Sequence, residues 1–410
     1  MVFGHVKPGE LAPFYYGKPP KLITQWMQFF AVVTGLIHLE MLPFLFFPGE
    51  DSLSWIFQAF FSLLFVVFVF YGQRIQMYIM IREIQGSLLR LKFIRDEGRK
   101  IALKTIKEIG KSEVDPAERV DRFLEYVTIR PESMDPAGIV WKLEHILDVR
   151  EERFKDEVKL MAPAADETNI NNLENTLEAA AALNFIYKVI RHFYLLGKKT
   201  LSLYIIMQIQ MILPLIMREA EAYASALKAF SYGQPIGDGA GALVAGKLMY
   251  GRRKRKIEKD CVVAKVSIEG RTAYVIKAEG PGGNVGKPGE AIKRVIEEND
   301  GKISTVIMID AALKLEGEKP GEIAEGVGAA IGGPGTEQYK IENSILKYKI
   351  PIHAVLIKED IGDAVSPMRK EIFEATEVAV ERVKCVIKER TKEGDTIIIA
   401  GIGNTIGVGQ

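Results

Sequence analysis

Cysteine is nearly absent: the 410 residues include two, Cys261 and Cys385. That excludes a disulfide framework and a thiolate metal cluster, and it suits a reducing cytosol. An excess of one charge is missing too. Lys plus Arg number 54 and Asp plus Glu 53, so nothing in the balance draws the chain to nucleic acid, which is not an expected partner. Histidine is scarce, and His145 and His192 stand alone in helical stretches, which argues against histidine ligation of a metal. No fixed-period repeat occurs. The segment 280–290, GPGGNVGKPGE, is no P-loop, because no Gly-Lys-Ser/Thr closes it, and it does not place GxGxxG for a dinucleotide. A cleavable signal peptide is not expected: the first apolar stretch starts after residue 21, is long, and lacks a small-residue cleavage site.

Long apolar runs are present. Residues 53–71 read LSWIFQAFFSLLFVVFVFY, without a charge and with Trp55 and Tyr71 near the ends. A bilayer core about 30 Å thick needs roughly 20 such residues in a helix, and aromatic rings favour its edges. Residues 23–47 form a softer candidate with His38, Glu40 and Pro43; Glu40 would have to sit near an interface. The link 48–51 has no basic residue, whereas Lys7, Lys18 and Lys21 precede the pair and Arg74, Arg82, Arg90, Lys92 and Arg95 follow it. The positive-inside rule then predicts a transmembrane hairpin over 1–80, with both flanks and the bulk of the chain cytoplasmic. The expected localisation is the cell membrane, multi-pass, and the lipid bilayer is the first expected partner. A third run, 201–217, has 17 residues, contains Gln208, Gln210 and Pro214, and lies between Lys198, Lys199 and Arg218. Its shortness predicts a buried or interfacial helix.

Residues 81–232 read as a helical region, with apolar residues at three- and four-residue spacing in 81–94 and breaks at Asp135-Pro136 and 161–163. It is expected to serve as a spacer or as a surface for protein partners or a homo-oligomer. The basic run 252–256 reads as a boundary loop, with anionic lipid or RNA as alternatives.

From 233 to 410 glycine is dense and β-branched runs alternate with helical stretches. Strands are predicted at 262–268, 273–278, 305–309, 352–357 and 396–400, and helices at 290–298, 337–347 and 368–389. The alternation predicts a three-layer α/β/α domain with a mostly parallel sheet. Ligands bind such sheets beyond the carboxyl ends of the strands. There stand Asp310, the glycine turns with Gly282, Gly283 and Asn284, with Gly333 and Gly335, and with Gly403 and Asn404, and the acids Asp360 and Asp363. Glycine turns let a ligand approach backbone amides, so these residues, with Gly237 and Gly239, are candidate ligand contacts.

The membrane N-terminus, the QMILPLIM helix, PIGDGAGALVAG and the final GIGNTIGVG resemble an archaeal family known as domain of unknown function 1512, which implies an archaeal membrane protein and supplies no activity. The C-terminal domain also resembles the hydrogenase-maturation endopeptidases and the spore germination protease. Their pattern runs a strand into Gly-x-Gly-Asn, then an acid on a turn before a helix, then a strand ending Ile-Asp-Ala. Here Ile309-Asp310-Ala311 completes the last piece, and Gly401-Ile402-Gly403-Asn404 and Gly237-Asp238-Gly239 are the others, in an order that implies a circular permutation. The resemblance implies Asp238 and Asp310 as catalytic acids or metal ligands, with a divalent metal as candidate cofactor. The histidine of the hydrogenase peptidases has no clear match, since His353 lies within a strand.

Three functions follow as expectations. The domain binds an anionic ligand or a divalent metal; or Asp238 and Asp310, as a close pair with one proton, make an acid-dependent endopeptidase; or a degenerate enzyme domain scaffolds a membrane complex.

Overall fold

The computed structural model describes residues 52–131 and 138–410. The candidate helix 23–47, the link 48–51 and the break at Asp135-Pro136 lie outside the described residues. The chain divides into two compact units, one holding 52–85 and 193–211 and the other 86–192 and 212–410.

Helix α1 (Ser52–Gly110) starts in the smaller unit, where helix α4 (Glu167–Thr200) ends and α5 (Leu203–Ser231) begins. Ile206 and Ile209 are buried there, and the Gln210 amide donates to Glu83 Oε2 at 2.7 Å. Phe60, Phe61, Leu63, Leu64, Phe65, Tyr204 and Met211 are exposed. Among the described residues one helix, α5, is long and apolar enough to cross a membrane. Its 29 residues correspond to about 44 Å at the helical rise. The apolar run 201–217 stops at Arg218, but the helix does not. The helix runs on because its buried positions do: Ala222, Tyr223, Ala226, Leu227 and Phe230 keep a helical spacing.

In the larger unit, the rest of α1 packs where a Cβ at Gly98 would meet Leu183 of α4 and Leu227 of α5. Helices α2 (Ala117–Leu124) and α3 (Ile139–Met161) complete the helical part. The break expected at 161–163 is real: α3 ends at Met161, and Asp166 starts α4 by accepting the Asn169 N–H at 2.7 Å.

The α/β part begins with a one-turn 3₁₀ helix, Gly237–Gly239, that runs into α6 (Ala240–Leu248). Strands β1 (Lys254–Glu258), β2 (Cys261–Ile268) and β3 (Arg271–Ala278) are followed by α7 (Pro288–Glu298), β4 (Thr305–Leu313), β5 (Ile323–Val327), α8 (Thr336–Tyr348), β6 (Ile352–Glu359), the short α9 (Ile361–Val365), α10 (Lys370–Arg390) and β7 (Thr396–Gly401). They form one seven-stranded sheet of order β1-β2-β3-β7-β4-β6-β5. The pairs β3–β7, β7–β4 and β4–β6 are parallel, whereas β1–β2, β2–β3 and β5–β6 are antiparallel. The sheet is therefore mixed rather than mostly parallel. The β2–β3 connection is a tight hairpin through Glu269 and Gly270, both at positive φ, which forces the antiparallel half.

Three layers are present. Ile397 and Ile399 of β7 face α6 and α10 in one core, and Ile398 and Ala400 face α7 and α8 in the other. A strand buried on both faces reads as a continuous apolar run, which is why TIIIAG is so plain in the sequence. The basic run is a loop only at Arg252 and Arg253: Lys254, Arg255 and Lys256 lie on edge strand β1, paired with Glu298 through Arg255 and with Glu279 through Lys256. Charge on an edge strand blocks pairing with another sheet. Both cysteines are free.

Candidate functional site

Four acids converge where β4 and β6 end. Asp238 is placed by the turn Gly237–Gly239, and its Oδ2 accepts the Asn404 N–H at 2.8 Å. Gly403 makes that contact possible. It sits at φ 119°, and a side chain there would collide with the Asp238 carbonyl. Asp310 lies within β4 rather than beyond it; it is 8% exposed and accepts the N–H of Ala311 at 2.8 Å. Glu359 closes β6. It is 2% exposed, and neither of its carboxylate oxygens has a hydrogen-bond partner. A Cβ on Gly237 would strike Glu359 Oε2 and the Asp363 carbonyl, so glycine is required for the close approach. Asp363 lies on α9, with a buried, unpartnered Oδ2 and Oδ1 3.4 Å from Arg369. Asp360 caps α9 through the Gly362 N–H at 3.0 Å and pairs with Arg218 of α5 at 2.9 Å.

Burial dominates the electrostatics. Desolvation raises the Asp238 carboxyl against the opposing Asn404 N–H. Desolvation, then the Asp238 charge, lifts Asp310 well above the carboxylate range. Glu359 is lifted in the same way, first by burial and then by Asp238, Asp363 and Asp310. Like charges in a dry site cannot all ionise, so the cluster holds protons where exposed carboxyls would not.

The glycine turns play different parts. The loop with Gly282, Gly283 and Asn284 is closed by protein. The Gly283 N–H donates to Asn172 Oδ1 at 2.9 Å, Asn175 Nδ2 donates to the Gly283 carbonyl at 2.8 Å, and the Thr405 N–H donates to the Asn284 carbonyl at 2.9 Å. The amide of Gly283 is thus spent within the chain rather than offered to an anion. Gly333 and Gly335 are at positive φ with open space beside them, and Gly335 starts α8. Gly237, Gly239, Gly403 and Asn404 are in contact around Asp238. His353 belongs elsewhere: burial lowers it, and its charged neighbours are Arg390 and Glu325, none of them in the cluster. Among the described residues no three His, Cys, Asp or Glu stand at a spacing that could hold a metal ion.

Two features escaped the sequence reading. Glu359 continues the buried parity of Val355 and Ile357 on β6, and an acid in phase with an apolar face was the available signal. The asparagines of α4 are the other. Asn171, Asn172 and Asn175 share one face of α4.

The N-terminal domain model of protein of unknown function DUF1512 matches residues 58–233, and the DUF1512 C-terminal domain model matches 236–409. The chain belongs to the DUF1512 family. The junction of the two DUF1512 models falls between α5 and the turn that carries Asp238, so the acid cluster lies wholly within the C-terminal match. No curated protein matched the chain.

Proposed function

We propose that this DUF1512 chain is a membrane-anchored protein whose α/β domain binds a cationic ligand at the Asp238–Asp310–Glu359–Asp363 cluster. One observation carries the reading: Glu359 is buried with both oxygens unpartnered among three other acids. A buried polar group without a partner is costly, and a cation would relieve it. The oxygen donors are of the kind hard cations take. The spacing does not assemble a metal shell, so the ligand is drawn by charge rather than seated in a resident metal site. The test is calorimetric titration of the full chain in detergent with Mg²⁺, Ca²⁺ and a primary amine in turn, followed across pH. Binding with proton release, weakened at least tenfold in Glu359→Gln, is expected. No heat and no proton release with any of the three would remove the reading.

Membrane anchoring is supported by the uncharged run 53–71 and by the exposed aromatic and aliphatic side chains of its helix. The basic residues after 71 support a cytoplasmic bulk.

A second reading, an acid-dependent endopeptidase on a permuted hydrogenase-maturation or germination protease fold, is favoured by one observation. Gly401 at the end of β7 lies against Gly241 and Ala245 of α6, and Asn404 bonds Asp238. The strand that ends in Gly-x-Gly-Asn therefore precedes the Asp238 helix in space as it would in an unpermuted chain. Hydrolysis of an unfolded protein substrate at acid pH, lost in both Asp238→Asn and Asp310→Asn, is the expected result; cleavage that survives in either variant excludes it.

A further inference from the structure

Asn175 joins three elements. Its Nδ2 donates to the Asn171 carbonyl of its own helix and to the Gly283 carbonyl after β3, each at 2.8 Å. Its Oδ1 accepts from Asn404 Nδ2, after β7, at 3.2 Å. Asn404 is fixed on its other side too, where Oδ1 accepts the Ile406 N–H at 3.0 Å. The backbone N–H of the same Asn404 donates to Asp238 Oδ2 at 2.8 Å. A side chain from the helical region thus holds the residue whose amide holds a cluster acid.

The choice of residue argues that this link matters. Asparagine is a poor helix former, and its amide, buried at 7% exposure in α4, would be costly unpaired. Helix packing alone calls for an apolar residue here, as Leu173 and Leu177 show on the same helix. The neighbouring Asn172 has a separate duty. Its Oδ1 takes the Gly283 N–H and has no bond to Asn404.

We infer that Asn175 is a positioning residue for the carboxyl cluster, so that the N-terminal domain is a working part of the C-terminal site rather than a spacer. The inference rests on the cluster being the binding site, but its test does not need a ligand. The sequence has two Gly-Asn junctions, Gly283-Asn284 and Gly403-Asn404. In the full chain labelled with carbonyl-¹³C glycine and ¹⁵N asparagine, those two amides alone give doubly selected NMR signals. In Asn175→Ala the Asn404 signal is expected to move upfield as its bond to the Asp238 carboxylate lengthens. In Asn172→Ala only the Asn284 signal is expected to move. Asn175→Asp keeps an acceptor for Asn404 Nδ2 but turns an oxygen toward the Asn171 and Gly283 carbonyls that Nδ2 served, so it too should move the Asn404 signal. It also serves as the deciding variant should Asn175→Ala fail to fold. An Asn404 signal unmoved in Asn175→Ala (or, if that variant does not fold, in Asn175→Asp), or moved as far by Asn172→Ala, would overturn the inference. A shift as expected in a chain that binds no cation would leave Asn175 its positioning role and sink only the ligand reading.

Discussion

Glu359 stores its proton at the expense of pH tolerance. Its folded-state carboxyl lies well above the ordinary range because burial and four neighbouring acids oppose the charge. The native state therefore keeps a proton that the unfolded chain releases above the normal carboxylate range. The stability this provides is complete below the unfolded value and is lost as pH rises toward the folded value, by about 1.4 kcal/mol per pH unit for one proton. Thermal unfolding of the full chain between pH 4.5 and 8 should show that decline, and Glu359→Gln should flatten it and unfold higher at pH 8. Parallel slopes in the two proteins would mean that Glu359 is already ionised. Gly403 gives a second expectation at this scale. An alanine there meets the Asp238 carbonyl and must hold a positive φ, so Gly403→Ala should lose roughly 2–4 kcal/mol in urea unfolding. A loss below about 0.5 kcal/mol would show that the loop can step aside. Neither residue could be weighed from sequence. Glu359 follows Lys358 in what reads as a charged strand end; its phase with Val355 and Ile357 marks it as the inward one of the two, but only the fold shows that the β6 terminus is buried.

At the scale of elements, helix α3 is locked to the α/β layer by a buried lysine. The Lys340 side chain is 2% exposed and meets Glu144 of α3, Glu290 of α7 at 3.2 Å and Glu337 of its own helix at 3.0 Å. Burial alone would lower its pKa, but the carboxylates outweigh it and keep the ammonium charged. Removing one member of such a group strands the others. Lys340→Met should therefore cost about 3 kcal/mol, measured by denaturant unfolding, and adding Glu144→Gln should recover part of the loss. If the double variant is no better than the single one, the group contributes as separate contacts. Legibility also differed by element. Strands β2, β3, β4, β6 and β7 stood out because buried β-branched residues fill them. Strand β1 hid behind Lys254-Arg255-Lys256, and β5 behind Glu325 and Gly326, because edge strands are chosen for what they repel. Helix α6, AGALVAGKL, was expected through the resemblance alone, as the helix that follows the Gly237–Gly239 turn, because its Gly241 makes room for the Ile309 and Ile402 carbonyls at the cost of helical signal.

For the whole molecule, the apolar run 53–71 and helix α5 lead to one expectation. The full chain expressed in cells should sediment with membranes and stay there through an alkaline carbonate wash. Release into the supernatant would restrict these helices to a soluble role. The three-layer architecture was readable from the alternation of strands and helices, but the strand order was not. Nothing local in TIIIAG says that it inserts between β3 and β4, since that depends on which edges the earlier strands leave open.

That insertion bears on how the protein is made. Strand β7 occupies the middle of the sheet, yet of the seven strands it is the last to leave the ribosome. Until it arrives, β3 and β4 each have an unpaired side, and Asn404 cannot yet meet Asp238. A nascent chain paused before residue 396 is therefore left with two open strand sides, which expose a partly folded species to aggregation, and the bond that holds Asp238 waits on the same segment.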